Sequence, residues 1–171
     1  VKESFPDFTP DGYTLWEEET SDDRTSTADR KLKEINIVVQ SAIFERLRDE
    51  FGDDYWDKGV RDVKIKVKAY EKSQYDENKI ALENYLDFIE YKKIIENKEI
   101  WPLMKPYFNI SEPGTKETAK NISWMDRINE LRRIPAHATK QRNYKLEDFD
   151  YIDYIYEKLC NKIPQRIWDQ I

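Results

Sequence analysis

The sequence predicts an all-α fold: an antiparallel helical bundle of about five helices with an extended N-terminal arm. Three observations carry this. Apolar residues recur at three- and four-residue steps through most of residues 28–162. The one stretch whose apolar residues alternate as a strand would, Val63, Ile65 and Val67, has no second strand with which to pair. No internal repeat period is present, so a single packed bundle is favoured over a solenoid.

Residues 1–27 read as a linker or arm. Pro6, Pro10 and Gly12 interrupt regular structure, and an acidic run and a Ser/Thr cluster follow. Phe5, Phe8, Tyr13, Leu15 and Trp16 give the arm apolar groups able to dock on a body, which sets it apart from a purely disordered tail. Residues 28–171 read as one helical domain. A cap near Ser26 or Thr27 opens its first helix, with Leu32, Ile35, Val38, Val39, Ile43, Phe44 and Leu47 on the apolar side and Gly52 at the stop. A second helix is expected over residues 57–74. There Val60, Val63, Val67 and Tyr70 keep helical spacing in a Lys/Arg/Glu-rich setting. A third spans residues 78–97 through Leu82, Tyr85, Leu86, Ile89, Ile94 and Ile95. The aromatic stretch 100–108 suits a loop with one helical turn, and Pro113-Gly114 a turn. Thr115 is expected to cap a helix running through Ile122, Met125, Ile128 and Leu131 to about Ile134. The last helix covers residues 147–162, with Phe149, Ile152, Ile155, Tyr156 and Leu159 apolar, and Pro164 closes it.

Composition narrows the function classes. No apolar run approaches the ~20 residues of a membrane span, and no secretory leader is evident. A single cysteine, Cys160, excludes an intrachain disulfide and a cysteine zinc cluster, so the cytoplasm is the expected compartment. Beside Leu159, Cys160 reads as a small buried residue, and Trp101 and Trp124 read as core. Asp53-Asp54 and Glu17-Glu18-Glu19 read as solvated faces rather than metal ligands. The chain opens at Val1 in Val-Lys-Glu-Ser-Phe-Pro, read as a piece of a larger protein with upstream domains. The net charge of −6 lies in the arm: residues 1–27 hold eight acids and two bases, leaving 27 of each in the other 144 residues. A neutral body still accommodates a nucleic acid where its local field is positive.

The positive field falls around the only histidine, His137. From Arg127 to Lys145 there are six bases (Arg127, Arg132, Arg133, Lys140, Arg142 and Lys145) against one acid, Glu130. One histidine cannot form a two-histidine metal site, but it titrates near neutrality and so suits proton transfer. Arg132, four residues, then His137, late in a helical chain and ahead of a final helix, resembles the R-x(4–6)-H motif of the HEPN superfamily. The run from Trp124 through Glu130-Leu131-Arg132-Arg133-Ile134-Pro135-Ala136-His137 is similar to domains at the ends of large prokaryotic defence and restriction-associated proteins. The resemblance spans roughly residues 28–162. It implies metal-independent RNA cleavage in a homodimer, with Arg132 holding the scissile phosphate and His137 moving the proton. Arg127, Arg133, Lys140 and Arg142 are the expected RNA contacts. No metal or other cofactor is implied. The residue after the motif arginine is usually small and polar in that family; here it is Arg133. Five helical residues separate Arg132 from His137 by about 140° around the axis, so the pair shares a face only if the helix ends or kinks at Pro135. The competing readings are a HEPN-like dimerisation or docking module without catalysis, a plain helical scaffold that binds a partner through its aromatic arm, and, locally, an Arg132 paired with Asp126 or Glu130.

Overall fold

The structure, a computed structural model, describes residues 10–136 and 143–171, with side chains over 23–134 and 143–171. It is all helical, and no strand occurs among the described residues. In chain order the helices are α1 (Pro10–Phe51), α2 (Tyr55–Gly59), α3 (Val63–Gln74), α4 (Phe88–Ile95), α5 (Trp101–Phe108), α6 (Trp124–Ala136), α7 (Leu146–Lys162) and α8 (Gln165–Trp168). Short 3₁₀ turns occupy Gly52–Asp54 and Leu82–Tyr85.

The core is built along the second half of α1. Leu32, Ile35, Val38, Val39, Ala42, Ile43, Phe44 and Leu47 are all buried, as their spacing predicts. Against them pack α7 through Ile152, Ile155 and Leu159, α6 through Trp124, Met125 and Ile128, and α4 through Tyr91, Ile94 and Ile95. Polar ties fix α7 and the residues just before it on α1. The Tyr144 hydroxyl donates to Asp29 at 2.5 Å, the Tyr156 hydroxyl to Glu34 at 2.6 Å, and the Lys31 ammonium to Asp153 at 2.6 Å. Both expected core tryptophans are buried, and their indole N–H groups are satisfied by carbonyls, Trp124 donating to Phe108 and Trp101 to Ala119, each at 3.0 Å.

The stretch 100–108, expected as a loop with one helical turn, is the two-turn helix α5, and five further departures from the sequence reading concern the elements around it. First, α1 reaches back to Pro10, so residues 10–27 are helical rather than an extended arm. Proline and acids are the residues that the first turn of a helix accepts, because its N–H groups lack partners and the dipole favours negative charge. The aromatic side chains of that stretch lie outside the described residues. Second, the helix of residues 57–74 is broken. Val60 is extended and buried, and Asp62 restarts the chain as α3 by accepting from the Lys64 N–H at 2.9 Å. Third, the expected helix of residues 78–97 begins as a helix only at Phe88. Glu90 bonds back to the Asp87 N–H at 2.9 Å, half of a capping box that starts α4. Fourth, Thr115 caps no helix. Its hydroxyl closes a turn on the Glu112 carbonyl at 2.7 Å, and Gly114 supplies the positive φ that turn uses. The chain up to α6 is instead pinned by buried Asn109, which donates to Glu117 and Thr118 and accepts from the Asn121 N–H at 2.6 Å. Fifth, Cys160 is exposed. Leu159 takes the inward position of α7, and the next residue is turned about 100° away.

Candidate functional site

Arg132 is held on α6 beside buried Leu131 and faces α4. Its guanidinium carbon sits 5.2 Å from the centroid of the Phe88 ring, a cation–π contact. Burial pulls its pKa below the ordinary guanidinium value, while Tyr91 and Asp87 push the other way. Arginine remains charged regardless, so this is a cation kept at a desolvation cost. The competing ion pair with Asp126 does not form: that carboxylate takes the Lys92 ammonium at 2.8 Å.

Arg132 opens onto a groove of about 330 Å³ between α1, α4 and α6. Asn36 comes from α1, Leu86, Asp87, Phe88 and Ile89 from the entry and first turn of α4, and Asn129, Arg132 and Arg133 from α6. Asn129 precedes Arg132 by three residues and therefore shares its face. Two guanidinium groups and two amides at one concavity form a set of fork-shaped and paired donors suited to a phosphodiester with its adjoining polar groups. Asp87 adds a negative charge to the rim, and Lys68 and Lys72 of α3 offset it at 3.1 and 3.7 Å.

The expected basic patch is divided by α6. Arg127 turns to the α7 side, with its guanidinium carbon 3.9 Å from the Tyr151 ring centroid and one nitrogen 3.9 Å from an Asp148 oxygen. Tyr151 in turn donates to Glu112 at 3.0 Å, and burial raises its phenol well above the usual range. Arg127 is thus a brace between α6 and α7, on a different side of the helix from Arg132. Arg133 is exposed and lines the Arg132 groove. His137, Lys140 and Arg142 lie outside the described residues. The backbone of α6 continues through Pro135 to Ala136, past the expected stop near Ile134. Pro135, the penultimate residue of α6, leaves the Leu131 carbonyl without its i+4 donor.

Compared with family models, with curated proteins and with solved structures, the chain matches none. The site therefore rests on its own geometry. Among the described residues no cluster of three or more His, Cys, Asp or Glu is placed to hold a metal, and no helix is long and apolar enough to cross a membrane. A larger cavity of about 510 Å³ lies between α1 and α7. Asp23, Asp150 and Asp153 outnumber Arg24 and Lys31 in its wall, which suits an anionic ligand less than the Arg132 groove does.

Sequence reasoning missed Asn36, Asp87, Phe88 and Asn129. Asn129 was within reach, one helical turn before the motif arginine. Asn36, Asp87 and Phe88 join the groove only through packing of α1 and α4 on α6, which no local pattern announces.

Proposed function

We propose that the chain is a HEPN-like domain that cleaves RNA without a metal, with Arg132 and His137 as its catalytic residues, working as a homodimer and serving as the effector part of a larger defence protein. The observation that carries this reading is the Arg132 groove. A desolvated guanidinium is held against Phe88 at the mouth of a concavity it shares with Arg133, Asn36 and Asn129. A cation kept in a costly position is what a site built for phosphate requires.

In this mechanism His137 takes the proton from a ribose 2′-hydroxyl. The 2′-oxygen attacks the adjacent phosphorus, the bond from phosphorus to the 5′-oxygen breaks, and the leaving oxygen receives a proton from the second protomer's histidine. The products are a 2′,3′-cyclic phosphate and a 5′-hydroxyl. Arg132 binds the non-bridging oxygens, where negative charge grows in the transition state. Arg133 contributes to binding through the backbone charge of the RNA.

The test is cleavage of single-stranded RNA by wild type, Arg132→Ala and His137→Ala, with and without EDTA, at matched helical content. The expected result is EDTA-resistant cleavage that falls by ~10²–10⁴-fold in either variant. Cleavage abolished by EDTA, or undiminished in His137→Ala, refutes the mechanism. A non-catalytic docking module is the second reading. The exposed apolar residues of α3, Val63, Val67 and Tyr70, favour it, and a well-folded wild type that cleaves no RNA would put it first.

A further inference from the structure

Helix α3 is apolar on two sides. Its inner side buries Ile65 and Ala69. Its outer side carries Val63, Val67 and Tyr70, which are 69%, 49% and 59% exposed, in a region where no described element covers them. These three recur at steps of four and three residues, so they form a continuous ridge along the helix. Isolated apolar residues on a surface need no explanation, but a ridge at helical spacing is what a helix presents to another helix.

The charges beside the ridge say which helix. At about 100° per residue, Lys64 and Glu71 lie on one flank of the ridge and Lys66 and Ser73 on the other. Lys64 and Glu71 are exposed, and neither forms an ion pair among the described residues. Lys66 is already engaged, donating to the Asp57 carbonyl at 2.8 Å. When two identical helices pair antiparallel about a two-fold axis, the same flank of each copy meets, read in opposite directions. An axis midway between residues 64 and 71 passes beside Val67. It sets Lys64 against the second copy's Glu71, and Glu71 against the second copy's Lys64. In a parallel pair the Lys64 flank would meet the Lys66 flank and bring like charges together.

We propose that α3 is a self-recognition surface, on which a second copy of this chain docks antiparallel through Val63, Val67 and Tyr70 with two reciprocal Lys64–Glu71 ion pairs. The inference does not depend on the ribonuclease reading. Lys68 and Lys72, which bond Asp87 at the groove rim, lie on the far side of α3 from the ridge, so this contact is separate from any pairing that brings two Arg132 grooves together. A contact based on one twelve-residue helix is small beside the ~1,200–2,000 Å² of a stable interface, so the pairing is weak and concentration-dependent.

The experiment is sedimentation equilibrium of the whole chain up to about 1 mM, the weak end of the affinity scale, with charge variants whose folding is checked by circular dichroism. Wild type is expected to show a reversible association step through α3, doubling whatever species pairing of the Arg132 grooves leaves. Lys64→Glu and Glu71→Lys should each weaken the dimer by about tenfold or more, because each turns two attractions into two repulsions. The double swap K64E/E71K should restore self-association. The two single variants mixed together should form a heterodimer, since one then carries two acids and the other two bases on the meeting flank. Val67→Glu should abolish this step and leave any groove-mediated pairing unchanged. A strictly monomeric wild type would overturn the proposal. So would a dimer indifferent to both charge variants, or single variants that the double swap fails to rescue. A Val67→Glu protein that loses thermal stability at concentrations where the wild type is monomeric would also overturn it, because the ridge would then be covered by the chain itself.

Discussion

Replacing Arg132 by Met separates what the arginine does for the fold from what it does in the groove. The substitution removes a cation whose charged form is disfavoured by burial, while keeping an unbranched side chain against Phe88. The lost cation–π contact is worth about 0.5–1 kcal/mol. A thioether against the same ring returns about 0.3–1.5 kcal/mol, and release from desolvation adds to the favourable side. Because the folded chain holds the guanidinium proton less tightly than the unfolded chain, the charge costs stability at every pH below the guanidinium range, and the gain does not vary between pH 5 and 9. The balance is zero to about 1 kcal/mol in favour of Arg132→Met. For a chain of this size that moves the thermal midpoint upward by at most about 2–4 °C. RNA cleavage by the same protein should fall by ~10²-fold or more, as when one preorganised donor is removed from a charged transition state. Differential scanning calorimetry and a cleavage assay on one preparation check both. A midpoint lowered by more than about 4 °C would show that Arg132 is there for packing, and the argument that the charge is tolerated for function would collapse.

Two further predictions concern the framework. Glu83 is buried, pairs with Arg48 and accepts from the Tyr55 hydroxyl at 2.9 Å, so Glu83→Ala should cost about 2–4 kcal/mol, less than a fully enclosed pair because Arg48 can rehydrate; an unchanged urea midpoint would contradict this. Burial raises the Tyr91 phenol to about 12, above the ~10 of an unfolded chain, so its contribution is intact below pH 10 and is lost as pH rises toward 12; spectrophotometric titration should show late tyrosine ionisation concurrent with unfolding, and normal ionisation of all tyrosines in a folded chain would contradict it.

The elements that bury one regular stripe were legible in the sequence. The apolar residues of α7 and the second half of α1 repeat with helical spacing and nothing competes with that pattern. The first turns of α1 were not legible, because Pro10, the acids and the Ser/Thr cluster signal an irregular segment as readily as a helix start. At α3 the spacing of Val63, Val67 and Tyr70 predicted the helix correctly and its orientation wrongly, since periodicity identifies an apolar face without saying what lies opposite. The break before α4 had a signal in Asp87-Phe-Ile-Glu90, overlooked because the apolar period runs through it. In the candidate site, Arg132 and Arg133 were legible as a local charge, whereas the separation of Arg127 onto the α7 side needed the helix to be placed between its neighbours.

Asp87 stands between two surfaces. Its carboxylate is held by Lys68 and Lys72 from α3 and lines the groove of Arg132, so one charge answers to both. Thermodynamic reciprocity then ties the two together. An anionic ligand in the groove adds to the pull on Lys68 and Lys72, and anything that clamps α3 in place, keeping those lysines beside Asp87, must strengthen that ligand by the same factor. Neutralising the rim with Asp87→Asn would remove this tie, leaving each surface to bind without reference to the other.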